Sequence, residues 1–202
     1  MTVLNILIPM AGAGSRFQQA GYKEPKPFIQ IGHKRMIELV VNNLRPTCAH
    51  RFIFIAQKHH ILAFNGIEFL TKIAPNCEIV QVEGLTEGAA CTALKAEELL
   101  NNNESLLIAN SDQWLDFDIN TFLSQAISYD GYILTMKAND SKWSFVGRDF
   151  AGRVDRVVEK QPISEEATCG VYYYKKGSDF VKSAKQMIAA NKKHNNEFYM
   201  LQ

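Results

Sequence analysis

A short glycine-rich segment near the amino end of the chain has the composition of a phosphate-binding turn. It follows an apolar run and contains Ala11, Gly12, Ala13 and Gly14, with Arg16 two positions later. Glycines let backbone N–H groups surround phosphate oxygens, because no side chain stands between them. Arg16 adds a permanently charged, forked set of donors. These residues are therefore candidates to bind a phosphorylated ligand.

A second cation follows on a stiff segment, in the run Glu24-Pro25-Lys26-Pro27. Each proline restricts its own backbone angle and that of the residue before it, so Lys26 is held in a defined place. Lys26 is a candidate to stabilise negative charge beside the glycine-rich segment.

Two common phosphate-binding loops do not fit this segment. The dinucleotide fingerprint requires a third glycine where the chain has Phe17, and the P-loop requires a Gly-Lys-Ser/Thr run that is absent. A plain strand-to-helix turn could also carry two glycines, so the segment alone does not establish phosphate binding.

The elements that must position these residues alternate between strand and helix over positions 1–136. Short branched apolar runs predict strands, and apolar residues at helical spacing predict helices. The predicted strands are 3–8, 51–56, 78–82, 105–110 and 132–136, with helices at 36–44, 60–73, 88–100 and 121–128. Strand-like segments at 144–146, 153–159 and 171–175 and a helix at 182–191 follow.

This alternation predicts an α/β fold with three layers, α/β/α, around a mainly parallel mixed sheet. Ligands of such sheets bind at the carboxyl ends of the strands, so the loops after Ile8, Val82 and Asn110 are the ones to consider. We predict a single domain over 1–202, with a first half at 1–136 and a second at 137–202.

A carboxylate follows the fourth predicted strand, at Asp112. An oxygen ligand at the tip of a buried strand suits Mg²⁺, although an aspartate there is also a common turn or cap residue. Asp116 and Asp118 come next, and their spacing matches the D-x-D pattern of many glycosyltransferases. Asp118 is also placed to cap the helix that follows.

The G-x-G-x-R and P-K-P elements together resemble the sugar nucleotidyltransferase family, whose pyrophosphorylases and cytidylyltransferases share the Rossmann-like nucleotide-diphospho-sugar transferase fold. The resemblance implies that the amides of residues 11–14 and Arg16 hold pyrophosphate and that Lys26 stabilises charge at the α-phosphorus. It also implies that Gly88 and Ala89 contact the base and ribose, and that Asp112 binds Mg²⁺.

The second half resembles the acceptor-binding part of the same family. Gly147 follows an aromatic residue, and Gly170 begins a G-V-Y strand. Glu159 and Lys160 match the family's E-K-P element, except that Gln161 separates them from the proline. The resemblance makes Glu159 a hydroxyl acceptor and Lys160 a phosphate partner, whereas the two residues by themselves favour a surface ion pair.

The family usually carries a second Mg²⁺ ligand on a strand after a segment like 196–199. The sequence ends at Gln202, where that strand is expected. We therefore expect a chain shortened at its carboxyl end, or a second ligand supplied from elsewhere.

The implied activity is transfer of a nucleotide from an NTP, with CTP, UTP or dTTP favoured, to a phosphorylated small molecule such as a sugar phosphate. Surface-polysaccharide synthesis is the implied setting. Two alternatives stay open: a nucleotide-binding homologue that has lost turnover, and a glycosyltransferase that uses an NDP-sugar.

The composition is that of an ordinary globular protein, with a formal net charge of +1. No long basic run indicates nucleic acid, and no long apolar run indicates a membrane. The four cysteines are widely spaced and no signal peptide is evident, so a cytoplasmic location is expected. The sequence leaves a homo-oligomer open.

Overall fold

A mixed sheet of eight strands forms the centre of the molecule in the computed structural model, which describes residues 3–191, 193 and 198. The strands are β1 Leu4–Pro9, β4 His50–Gln57, β5 Glu78–Val82, β6 Leu106–Ala109, β7 Gly131–Lys137, β8 Ser144–Arg148, β9 Val154–Glu159 and β10 Glu166–Tyr174. A separate hairpin consists of β2 Gln30–Ile31 and β3 Lys34–Arg35.

Eight α-helices are present in the described part of the chain. They are α1 Ser15–Gln19, α2 Met36–Asn43, α3 Lys58–Ala63, α4 Gly66–Ile73, α5 Ala89–Ala93, α6 Glu97–Leu100, α7 Ile119–Ala126 and α8 Gly177–Ala189. Single 3₁₀ turns lie at Lys26–Phe28 and Leu94–Ala96.

The central strands of the sheet, such as β1 and β6, are buried on both faces, as their continuous apolar sequences predict. Neighbouring residues of β1 point to opposite faces: Ile6 packs in the cluster that contains Val40 of α2, and Leu7 in the cluster that contains Phe180 of α8. All four of these side chains are at most 1% exposed. The three-layer α/β/α prediction is confirmed.

The strand order is β5-β4-β1-β6-β10-β8-β9, and β7 pairs with β10. The first four of these strands are parallel, so their carboxyl ends lie at the same edge. Strand β10 runs antiparallel to β6 and to β7. The glycine-rich segment and Asp112 follow β1 and β6, and they are therefore neighbours.

One side of β10 is shared by two strands. Its later residues, from Val171, pair with β6, and Ala167 pairs with Phe145 of β8. The other side pairs with β7, with a register shift between Thr168 and Tyr172. The interval between β6 and β8 lies at Gly170, and this opening becomes part of the site described below.

Two predicted helices are interrupted in the structure. The helix expected at 60–73 breaks at Asn65, which adopts a left-handed conformation (φ 50°) between α3 and α4. The helix expected at 88–100 divides into α5, a 3₁₀ turn and α6. Helical periodicity continues through both breaks, so the apolar pattern could not reveal them. None of the helices in the described ranges is long and apolar enough to cross a membrane.

Candidate active site

The loops after β1 and β5 enclose a pocket of about 260 Å³, which we call the loop pocket. It lies at the carboxyl edge of the parallel strands, where ligands of such sheets bind. Its lining consists of Pro9, Ala11, Gly12, Ala13, Leu85, Thr86, Gly88, Ala89 and Thr92. Five residues that the sequence analysis selected for nucleotide binding therefore meet in one place.

Gly14 ends the glycine-rich segment in a left-handed conformation, with φ 60°. Its carbonyl accepts hydrogen bonds from the amides of Phe17 and Gln18, so it begins α1. A Cβ at Gly14 would lie 3.6 Å from the Cβ of Lys26. The glycine-rich segment thus packs directly on the proline-flanked segment that carries the lysine.

Lys26 forms an ion pair with Asp112. Both side chains are partly exposed, at 29% and 27%, so a ligand can reach them. The ammonium group of Lys26 also lies 5.2 Å from the centre of the Phe17 ring, within the range of a cation–π contact. Two charged residues that the sequence places far apart are therefore in contact at the site.

Arg16 lies on the surface of α1. Within the described residues its side chain makes no hydrogen bond or ion pair, and it lines neither pocket of the site. Its guanidinium group lies two residues from Gly14 and is exposed, which suits capture of an anionic ligand.

Position 88 requires glycine for a structural reason, in addition to the contact with base and ribose that the family resemblance implies. At φ 116°, a Cβ there would lie 2.5 Å from the carbonyl oxygen of Phe198. The amide of Phe198 donates to Glu87 O (2.8 Å), and the amide of Ala90 donates to Phe198 O (3.1 Å). The glycine is thus required by a backbone segment of the protein as well as lying in the loop pocket.

A second pocket of about 290 Å³, which we call the sheet pocket, occupies the interval between β6 and β8. Ala89 lines both pockets, so they adjoin. The other lining residues are Asn110, Gln113, Lys142, Trp143, Ser144, Val157, Glu159, Thr168, Gly170 and Tyr172. Most of these side chains are hydrogen-bonding groups, with Trp143 supplying an aromatic surface.

Glu159 contributes the carboxylate of the sheet pocket. Its side chain is 9% exposed, and it accepts a hydrogen bond from the hydroxyl of Ser144. The Tyr172 hydroxyl lies 3.3 Å from that of Thr168. Burial raises the pKa of Tyr172, and the negative charge of Glu159 adds to the increase while the Thr168 hydrogen bond opposes it. Tyr172 is therefore a neutral hydroxyl at physiological pH.

Gly170 connects this pocket to the end of β6. Its carbonyl accepts a hydrogen bond from the amide of Asn110 (3.1 Å), and the Asn110 side chain donates to Gln113 (2.8 Å). Gly170 is left-handed, with φ 70°, and a Cβ there would overlap the Asn110 amide group. The glycine is needed to bring β6 and β10 this close.

Two predicted substrate-binding residues lie outside the lining of the sheet pocket. Gly147 is buried in β8, where a Cβ would meet the side chain of Arg156 at 2.7 Å. Lys160 is exposed, 3.9 Å from Glu159, and its backbone amide donates to Trp143 O (2.9 Å). Of the segment 196–199, where a further metal ligand was expected to follow, all but Phe198 lies outside the described residues.

Several pocket residues carry no motif that would single them out. Asn110 and Gln113 are polar residues after the end of β6, which is the one local signal they offer. The structure places Trp143 in the sheet pocket and buries Phe145 completely.

Asp112 supplies one carboxylate to the site, and a single carboxylate fits a magnesium ion whose other ligands come from a phosphorylated substrate and water. Mg²⁺ commonly uses one or two carboxylates and takes its other oxygens from phosphate and water. In the described ranges, no three acidic, histidine or cysteine side chains form a metal cluster. Asp118 caps α7, because its carboxylate accepts from the amide of Thr121 (2.6 Å), which lowers its pKa.

Comparison with known proteins agrees with this arrangement. Residues 6–201 match the family model described as nucleotidyl transferase. The structure is also similar to a nucleoside-diphosphate-sugar pyrophosphorylase from Vibrio cholerae RC9, with a TM-score of 0.78 and 25% identity. That alignment covers 96% of this chain and 84% of the Vibrio chain.

Two further solved structures share the fold. A UDP-glucose pyrophosphorylase in complex with UDP-glucose gives a TM-score of 0.74 at 18% identity, over 98% of this chain and 84% of that one. A protein described as a glucose-1-phosphate thymidylyltransferase from Bacillus anthracis, in complex with sucrose, gives 0.76 at 17% identity, over 95% and 79%. No curated protein sequence matches the chain.

Proposed function

Because the chain belongs to the nucleotidyl transferase family, we propose that it transfers a nucleoside monophosphate from an NTP to a sugar phosphate and releases pyrophosphate. The observation that carries this proposal is the contact between Lys26 and Asp112. Lys26 packs on the glycine-rich segment of the loop pocket, and Asp112 precedes Gln113 of the sheet pocket. The pair therefore joins the two binding regions where an NTP and its acceptor would meet.

In this reaction a phosphate oxygen of the acceptor attacks the α-phosphorus of the NTP. The new P–O bond forms as the bond to the β-phosphate oxygen breaks, and pyrophosphate leaves with the electron pair of that bond. Such transfers depend on positioning and on neutralisation of charge, and they need no covalent intermediate on the protein.

The residues of the chain supply these two requirements. The amides of Ala11–Gly14 and the exposed guanidinium group of Arg16 would hold the pyrophosphate oxygens. Lys26 would donate to the oxygens of the α-phosphate, where charge is redistributed in the transition state. Asp112 would hold Mg²⁺, which neutralises phosphate charge when it is bound.

The loop pocket would take the base and ribose, and the sheet pocket the acceptor. Hydroxyl and amide groups of the sheet pocket suit a polyhydroxylated ring, and Trp143 offers a flat surface for its apolar face. The 25% identical Vibrio pyrophosphorylase, whose name specifies a nucleoside-diphosphate sugar, supports a sugar phosphate as the acceptor. The resemblance of the Arg16-Phe17 and P-K-P elements to cytidylyl- and uridylyl-transferring enzymes favours CTP, UTP or dTTP.

Pyrophosphate release tests the proposal. The protein is incubated with Mg²⁺, a panel of sugar 1-phosphates and one triphosphate at a time: CTP, UTP, dTTP, ATP or GTP. The sugar nucleotide is then identified by mass spectrometry. We expect one pyrimidine triphosphate to support turnover. Binding of that NTP without turnover on any acceptor would instead indicate a regulatory homologue, and preferential binding of an NDP-sugar would indicate a glycosyltransferase.

A further inference from the structure

Gln57, the last residue of β4, is a polar side chain buried beneath the loop pocket. It is 2% exposed. Its Nε2 donates one hydrogen bond to Ala11 O (2.8 Å) and another to Gly84 O (2.7 Å). We propose that Gln57 is a positioning residue that holds the loops after β1 and β5 at the separation the nucleotide requires. This inference rests on the function proposed above.

The order of strands explains how one side chain reaches both loops. Strand β4 lies between β1 and β5 and is parallel to both. Gln57 is in register with Val82, the last residue of β5, and Ala11 follows the end of β1. The side chain therefore emerges between two loops that leave the sheet on either side of it.

The amide has one orientation that the surrounding carbonyls allow. With the group turned over, Oε1 would face the carbonyl oxygens of Ala11 and Gly84, and both hydrogen bonds would become repulsive contacts. In the observed orientation, Oε1 is buried and has no hydrogen-bond partner among the described groups. A buried acceptor without a partner lowers stability, so this glutamine is better explained by what its two donors position than by its contribution to folding.

The two contacts act on the walls of the loop pocket itself. Ala11 lines one wall, and Gly84 directly precedes Leu85 and Thr86 of the other. Among the residues that the structure describes, no hydrogen bond runs directly from positions 10–16 to positions 83–88, so the side chain of Gln57 is the hydrogen-bonded link between them. Removal of the Gln57 donors should let the walls move apart, and the NTP would then have to order them when it binds.

Gln57→Met tests this role, because methionine has nearly the same length and volume but no donor. Gln57→Glu keeps the shape and directs a carboxylate at the two carbonyls, so it should loosen the loops more than methionine does. Asn5→Leu is the matched control. Asn5 is also a buried, hydrogen-bonded amide, bound to Arg51 and Glu104, but it lies at the amino end of β1, away from the loops.

Two measurements separate a positioning role from a purely structural one. Hydrogen–deuterium exchange without ligand should be faster in both loops of Gln57→Met and Gln57→Glu, and unchanged there in Asn5→Leu. Calorimetry with the preferred NTP and Mg²⁺ should give a Kd about tenfold higher in Gln57→Met, as expected when two hydrogen bonds no longer preorganise the site. The melting temperature of this variant should change by only a few degrees, because the unpartnered acceptor is removed along with the donors.

Unchanged exchange in both loops of a folded Gln57 variant would overturn the inference. Faster exchange with an unchanged Kd would overturn it as well, because the separation of the loops would then have no effect on nucleotide affinity. A wild-type chain that bound no triphosphate would overturn the proposed function and the nucleotide role of Gln57 with it. In that case the exchange data would still decide whether Gln57 links the loops.

Discussion

The ammonium group of Lys26 and the carboxylate of Asp112 are paired across the opening between the two halves of the site. Lys26 belongs to the segment that packs on the glycine-rich loop, and Asp112 follows β6. The carboxylate is the one proposed to hold Mg²⁺, and the ammonium group is the one proposed to meet the α-phosphate. Binding of the NTP with its metal would therefore replace this ion pair with two contacts to the ligand.

Lys26→Ala should lower kcat by about 10²–10³, the usual effect of removing one strong electrostatic donor from a transition state. The rate of pyrophosphate release at saturating substrates measures it. Lys23→Ala is the matched control, because Lys23 is an exposed lysine on the same segment and lines neither pocket. Equal rates for Lys26→Ala and the wild type would remove Lys26 from the reaction.

Asp112→Asn should abolish the magnesium-dependent part of NTP binding, because the anionic oxygen ligand is lost. Asp118→Asn should leave it intact, since asparagine caps a helix about as well as aspartate. Thermal shifts with the NTP, with and without Mg²⁺, compare the two variants. If the magnesium-dependent thermal shift were instead lost in Asp118→Asn and kept in Asp112→Asn, the result would favour a D-x-D metal site and a glycosyltransferase.

Gly170→Ala should raise the KM for the acceptor and lower the melting temperature, because the added Cβ overlaps the Asn110 side chain. Gly152→Ala separates this overlap from backbone strain. Gly152 has a similar φ of 77°, but a Cβ there meets nothing within 4 Å. Both variants should carry roughly 1–2 kcal/mol of left-handed strain, and only Gly170→Ala should change acceptor kinetics. Matching acceptor KM values in the two variants would exclude a role for this contact.

Trp143→Ala should raise the KM for the acceptor by about tenfold, roughly 1.4 kcal/mol, with little change in the Kd of the NTP. The reason is that Trp143 lines the sheet pocket and not the loop pocket. Trp114→Ala serves as the comparison, since Trp114 is 63% exposed and lines neither pocket. A larger effect on NTP binding than on the acceptor would reverse the assignment of the two pockets.

Acid should remove a stabilising contact between Arg148 and Glu166. Hydrogen bonds from the guanidinium group hold the pKa of Glu166 below its ordinary value of 4.5. A carboxylate with a lowered pKa in the folded state stabilises the fold above pH 4.5, and this stabilisation is lost as the pH falls below that value. The difference in melting temperature between wild type and Glu166→Gln should therefore shrink on acidification from pH 6 to pH 3.

The control for that experiment is Glu165→Gln, the exposed neighbour on the same segment. Its difference from wild type should vary less with pH, because no described ion pair involves Glu165. A gap for Glu166→Gln that stayed constant down to pH 3 would show that the Arg148 contact contributes nothing to stability in solution.

Local patterns were sufficient for the framework of the site. Apolar strands that alternate with helices predicted the sheet, and the carboxyl-edge rule then placed the glycine-rich segment and Asp112 side by side. The glycines and the proline-flanked Lys26 are recognisable because their backbone requirements are properties of the residues themselves. Each of these signals is contained within a few neighbouring positions, so a sequence displays it directly.

The tertiary structure decided which distant segments of the chain lie in contact. The sequence determined the fold class, the glycine-rich segment and the carboxylate after β6, since each depends on neighbouring residues. Only the folded chain paired Lys26 with Asp112, set Gly88 against Phe198 and buried Gln57 between two loops. Such contacts depend on strand order and on the path of the backbone, which no short stretch of residues specifies.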